Sequence, residues 1–154
     1  MQNRAGKEMR YITSLFKKEI DNSELFKTNP DLTNVKGWTM GFIYRMQEKG
    51  LEVYQKDIEQ EFNISRSTAT ELLQNLEQND FLTREVSLTD GRLKRIVLKE
   101  KAIKLQEAVI ETFNQVENKL LDGFSREEQE ILFNYLGRIR KNLEGQSGRR
   151  CNAH

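Results

Sequence analysis

The stretch QKDIEQEFNIS at residues 55–65, continued by RSTATELLQNLEQ at 66–78, decides the reading of this chain. In its first part Ile58 and Phe62 stand four apart, which places both on one face of a short helix. Asn63, Ile64 and Ser65 then form a tight corner, and the Ser65 hydroxyl is suited to cap the amides of a helix that starts beyond it. That helix carries Ala69, Leu72, Leu73 and Leu76 at the spacing of a buried stripe, with Arg66, Ser67, Thr68, Thr70, Glu71, Gln74 and Asn75 left over for solvent. Two short helices joined by about three residues make a helix-turn-helix.

Downstream the period changes from helical to alternating. Leu82, Val86 and Leu88 precede Asp90-Gly91, and Ile96 and Leu98 follow it, so the pattern predicts a β-hairpin turned at the Asp-Gly pair. A long helix resumes at Glu100 with Ile103, Val109, Phe113, Val116 and Leu120 as its main stripe, ending at Gly123. Ser125 and Glu128 are spaced as a capping box, and open a last helix bearing Ile131, Leu132, Tyr135, Leu136, Ile139 and Leu143. Upstream, Met9, Ile12, Phe16 and Ile20 predict a first helix from Lys7 to about Phe26, broken at Thr28-Asn29-Pro30-Asp31 because proline cannot continue the hydrogen-bond ladder. Thr33 is expected to cap a second helix that buries Val35, Trp38, Phe42 and Met46 and stops at Gly50. The expected fold is mainly α, an α+β winged helix of six helices with a two-stranded β-wing.

Composition narrows the function. The chain has 154 residues, 36% hydrophobic and 32% charged, with one proline, which suits one helix-rich domain rather than a disordered chain. Its net charge of +1 lends no support to nucleic-acid binding from the whole-molecule field, so charge must be sought locally. No stretch approaches the roughly 18 apolar residues of a membrane span, and Met1 to Arg10 lacks a signal peptide's apolar run. No membrane partner is expected. The only cysteine, Cys151, excludes an intramolecular disulfide, and a reducing cytoplasm is the expected compartment. His154 is the only histidine and lies at the end, so neither a histidine-based metal site nor catalytic acid-base work is expected, and no glycine-rich phosphate loop or cofactor motif is present. The chain reads as a non-enzyme.

The chemistry lies instead in two polar groups. A helix that enters the major groove of double-stranded DNA needs short or forked polar side chains on its first turns, which Ser65, Arg66, Ser67, Thr68, Thr70 and Gln74 supply. The hairpin carries Arg92, Lys94 and Arg95, with Asp90 beside them. From Arg84 to Lys104 there are seven basic and three acidic residues, net +4, whereas Glu52 to Leu82 holds seven acidic and two basic, net −5. The wing and Arg66 are therefore expected to supply much of the attraction for phosphate, which weakens with salt.

Five segments in register, QKDIE at 55–59, SRSTAT at 65–70, LEQNDFL at 76–82, DGR at 90–92 and LKEKA at 98–102, resemble the multiple-antibiotic-resistance regulator (MarR) family of bacterial transcription factors. The resemblance extends from about Lys7 to Leu143. It implies a single domain over residues 1–154, with dimerisation helices at 7–30 and 100–144, a winged helix-turn-helix DNA-binding lobe at 33–98 and a mobile tail at 145–154. It implies further a homodimeric regulator, more often a repressor, on a pseudo-palindromic site. Arg92 would enter the minor groove with its guanidinium held by Asp90. One departure is Glu71, where many members carry a basic residue. A stripe at helical spacing ordinarily marks core, but the resemblance adds a second reading for Tyr11, Leu15, Trp38, Phe42 and Met46: the lining of a small-molecule effector pocket between the first, second and fifth helices.

Two other readings compete. A winged helix can also bind a protein, and the acidic lobe would be the surface for it, yet such a module has no evident need of Asp90-Gly91-Arg92 followed by Lys94 and Arg95. Sequence readers of RNA usually display aromatic stacking platforms, which the exposed set around Arg66 lacks.

Overall fold

Helix α1 (Ala5–Asn22) ends earlier than its periodicity suggests. Ser23 leaves the helical region with φ −65° and ψ 148°, and its Oγ accepts from the amide of Phe26, so it caps a separate short helix, α2 (Glu24–Thr28). The computed structural model describes residues 4–145 and contains seven α-helices among them, one more than expected, because this one-residue break needs neither glycine nor proline and leaves the apolar spacing unchanged. The chain divides into two compact units, Met1–Phe113 and Asn114–His154. Cys151, His154 and all but the first residue of the expected tail lie outside the described residues.

In the first unit, a 3-10 turn over Pro30–Thr33 leads into α3 (Val35–Glu48). Asn34, not Thr33, caps α3, its side chain accepting from Lys36 N at 2.9 Å. Thr33 is still inside the turn and donates to Pro30 O instead. The helix buries Gly37, Thr39, Met40 and Ile43 rather than the expected stripe, and Trp38 is 48% exposed in the single chain. Gly37 explains the rotation. A Cβ there would lie 2.4 Å from Leu32 O, so the missing side chain lets the preceding turn press onto this face and makes it the packed one.

Helices α4 (Gln55–Glu61) and α5 (Arg66–Gln78) enclose the corner, where Asn63 takes φ 49°. Ile58 from α4 meets Ala69, Leu72, Leu73 and Leu76 from α5, all buried, as the spacing requires. Strands β1 (Leu82–Val86) and β2 (Lys94–Leu98) pair antiparallel from Leu82↔Leu98 to Val86↔Lys94. Val53 adds a bridge to Ile96, whose N–H donates to Val53 O at 2.7 Å. The turn differs from the expected tight Asp-Gly hairpin: residues 87–93 separate the strands, and Gly91 is not among the residues with positive φ. Ser87 N instead donates to Leu93 O at 2.9 Å, closing a wider loop whose shape is set by side chains.

Helix α6 (Glu100–Leu120) buries Ala102 and Gln106, and Phe113 packs edge-on to Phe26 at 6.2 Å. In the second unit Gly123 takes φ 81°, and Ser125 and Glu128 form the expected capping box at 2.7 and 3.2 Å, opening α7 (Arg126–Glu144). No residue of α7 is buried; Ile131, Phe133, Tyr135 and Leu136 are exposed. Among the described residues no helix is long and apolar enough to cross a membrane, and no three His, Cys, Asp or Glu converge as a metal site.

Candidate nucleic-acid interface

The first turn of α5 is held from two directions. Ser65 Oγ accepts from Thr68 N at 3.2 Å and lies 2.8 Å from the Thr68 hydroxyl, satisfying amides that a helix start leaves open. Gln55, at the head of α4, reaches across the corner: its Nε2 donates to Thr70 Oγ1 at 2.9 Å and to Arg66 O at 3.3 Å. Thr70 in turn donates to Arg66 O. The hydroxyls of Ser65 and Thr70 thus shape the turn, while Arg66, Ser67, Thr68, Glu71 and Gln74 are exposed. Ser65, Arg66, Ser67, Thr70 and Glu71 line a shallow open concavity on this face. Gln55 braces the start of α5 in a way that periodicity does not reveal, because its partners lie 11 and 15 positions away.

The wing loop depends on a second, part-buried hydrogen-bonded knot. Glu52, in the segment between α3 and α4, accepts from Ser87 Oγ at 2.6 Å, from the Tyr54 hydroxyl, and from Leu88 N at 2.7 Å. Ser87 Oγ is also the acceptor for Thr89 N and Asp90 N at 3.1 and 3.2 Å. Hydrogen bonds from Ser87, Tyr54 and the Leu88 amide stabilise the charged carboxylate and push the pKa of Glu52 down to about 2. From this base Asp90 Oδ1 accepts from Arg92 N at 3.0 Å and from Arg92 Nε at 3.3 Å. The Arg92 side chain is otherwise 91% exposed, a guanidinium held out on the loop by its neighbour.

The remaining wing cations divide. Lys94 is exposed. Arg95 is drawn inward, with Nη2 2.8 Å from Glu85 and Nε 3.9 Å from Glu52, so its charge is balanced within the lobe. Arg84 faces Glu77 at 3.6 Å, and Lys99 bonds Asp80, which lowers the Asp80 pKa. Three of the acids behind the −5 of the helix-turn-helix segment are therefore matched by cations from the wing strands or the residue just beyond them. The two opposite local charges partly cancel in space.

The five residues expected around an effector divide as well. Tyr11 and Leu15 lie exposed on α1, Trp38 is exposed, and Met46 is half-buried. Phe42 packs edge-on to Phe62 at 6.2 Å. None of the five lines the cavity of about 330 Å³ that opens between the Pro30–Thr33 turn, α3, the end of α5 and α6, where Lys36, Met40, Asn75, Asn79, Phe81 and Leu105 are found.

Comparison with known proteins agrees with the fold. Residues 31–93 match the model of the MarR family. The HTH-type transcriptional regulator YwhA of Bacillus subtilis is 27% identical over 130 residues, 84% of this chain and 87% of that protein. Staphylococcus aureus MepR, solved with ethidium bromide, is 30% identical with a TM-score of 0.74, covering 92% of this chain and 97% of MepR. A MepR–DNA complex is 31% identical with a TM-score of 0.67, covering 87% and 96%.

Proposed function

Since this chain belongs to the MarR family of DNA-binding transcriptional regulators, which perform no catalysis, we propose that it is a homodimeric repressor of a pseudo-palindromic operator, released by a small-molecule effector. The observation that carries the DNA-binding part is the pairing, within one lobe, of an exposed α5 face with an Arg92 guanidinium that Asp90 holds clear of the wing. A helix of this kind reads base edges in the major groove, and a wing arginine fits the narrow groove alongside. Arg66 and Lys94 complete the contact set, with Ser67, Thr68 and Gln74 facing the bases; Arg95 serves the lobe's own packing. Double-stranded DNA in the cytoplasm is the partner.

The dimer is supported by apolar faces that the single chain leaves in water. Tyr11, Ile12 and Leu15 on α1 are exposed, as are Ile131, Phe133, Tyr135 and Leu136 on α7. Surface of that extent ordinarily marks an interface. The helices within 7–30 and 100–144 would form it, leaving a lobe over 33–98 to meet each half-site, about one helical turn apart. The effector rests on MepR, which has been solved bound to ethidium bromide. A ligand that prefers one spacing of the two lobes shifts the dimer toward it and away from the operator.

Fluorescence anisotropy on duplex DNA from upstream of the protein's own gene, against a scrambled duplex, tests this. Specific binding is expected, with Arg92→Ala weakening it and lowering the dependence of log affinity on log salt by about one. Equal binding to both duplexes, indifferent to Arg92, would overturn the reading and favour a protein partner for the acidic lobe.

A further inference from the structure

We propose that Glu71 is a specificity-determining residue that reads the exocyclic amino group of a cytosine in each half-site. The inference rests on α5 being the helix that enters the major groove, and goes beyond it by assigning a base.

Glu71 is placed for this by helical geometry. Ser67, Glu71 and Gln74 fall on the side of α5 opposite the buried Ala69, Leu72, Leu73 and Leu76, and Glu71 lines the concavity with Ser65, Arg66, Ser67 and Thr70. It stands one turn inside the helix, where side chains approach base edges.

The other acids of the helix-turn-helix segment are mostly committed. Glu52, Glu77 and Asp80 face cations from the wing strands or just beyond them, Asp57 accepts from Tyr54 N at 2.8 Å, and Glu59 accepts from Gln55 at 3.3 Å. Among the described residues Glu71 has no ion-pair or side-chain hydrogen-bond partner, and even Arg66 on the same concavity makes no bridge to it. An unneutralised carboxylate on a surface that meets phosphates raises the cost of non-specific binding. It becomes favourable only where a hydrogen-bond donor faces it.

The major groove offers two such donors. Adenine presents its N6 amino group beside N7, an acceptor that repels a carboxylate, whereas cytosine presents its N4 amino group beside a C–H edge. Guanine N7 and O6 and thymine O4 are acceptors and are rejected. A glutamate in this position therefore selects cytosine by attraction and the other bases by repulsion.

Selection of binding sites from a randomised duplex pool, run in parallel on the wild-type protein, Glu71→Gln and Glu71→Ala, tests the assignment. The wild-type motif should contain a fixed C·G pair in each half-site, whose exchange costs about tenfold in affinity. Glu71→Gln should convert that one position to A·T, since an amide pairs two ways with adenine, and Glu71→Ala should leave it degenerate with the other positions unchanged. Both variants should also bind a non-specific duplex more tightly. The exposed position makes folding a separate check, read from unchanged thermal midpoints. Identical motifs from all three proteins would overturn the role of Glu71 while leaving the major-groove reading in place. Failure of the wild type to enrich any motif would overturn both.

Discussion

The backbone amide of Leu88 donates to Glu52 Oε1 at 2.7 Å across 36 positions of sequence, tying the wing loop to the segment ahead of α4. The same carboxylate holds Ser87, which accepts from the amides of Thr89 and Asp90. The Glu52 side chain thereby sets the backbone from which Asp90 and Arg92 project. Glu52→Ala should release the Leu88 amide to exchange about five- to tenfold faster, the effect of one lost hydrogen bond, and the Thr89 and Asp90 amides by less, since their acceptor, Ser87 Oγ, remains but loses its anchor. Hydrogen exchange read by mass spectrometry checks this, with Ile58 and Leu73 as unaffected internal standards.

Acid should loosen the same knot. The folded-state pKa of Glu52 is pushed down to about 2 from an ordinary 4.5, so its contribution is complete above 4.5 and is lost as pH falls from 4.5 toward 2. Asp31, lowered by its hydrogen bond from Asn34, and Asp80, lowered by Lys99, act in the same sense. Urea midpoints at pH 7 and pH 3 should drop further for the wild type than for Glu52→Gln. Equal drops would place the acid sensitivity elsewhere.

Two glycines of α3 should respond with opposite signs. Alanine normally stabilises a helix interior over glycine by about 1 kcal/mol. At Gly41 the added carbon would meet only Gln106 Oε1 at 3.4 Å and Arg45 Nη1 at 3.5 Å, both at ordinary van der Waals separation, so Gly41→Ala should be neutral or stabilising by up to about 1 kcal/mol. At Gly37 it would meet the Leu32 backbone at 2.4 Å, and Gly37→Ala should destabilise by about 1–3 kcal/mol. Chemical denaturation of the pair decides it.

Leu136 on α7 is 43% exposed in the single chain, within an apolar face that the proposed dimer would cover. Burying such a side chain contributes about 1.5–3 kcal/mol, and an unpaired carboxylate in its place opposes burial. Sedimentation velocity at micromolar concentration should show a dimer for the wild type and a shift toward monomer for Leu136→Glu. A monomeric wild type would remove the dimeric operator reading.

The helix-turn-helix was legible because its signals are local. Ser65 caps amides three residues away, and Ala69, Leu72, Leu73 and Leu76 repeat at the period of one helix, so a window of a dozen residues contains the cause and its consequence. The same holds for the Ser125–Glu128 box and for the switch to alternation that marks the wing. Local pattern misled where a residue's role depended on what lay against it. Trp38 and Phe42 have the spacing of a stripe, yet α3 turns its Met40 and Ile43 side inward because Gly37 admits Leu32.

The sequence by itself determined six of the seven helices and the two strands, the Ser65 and Ser125 caps, and which polar side chains stand on the outer face of α5, since each follows from residues within one or two helical turns. Tertiary structure alone decided that Arg95 is held by Glu85 and Glu52 while Arg92 stands free of the lobe, that Gln55 braces α5, and that Glu52 shapes the wing. The strand register brings Glu85 opposite Arg95, and the bridge from Val53 to Ile96 sets the neighbouring Glu52 beside the wing. Charge and hydrogen bonding act through distance in space, and a periodic pattern carries no information about which distant residue arrives there.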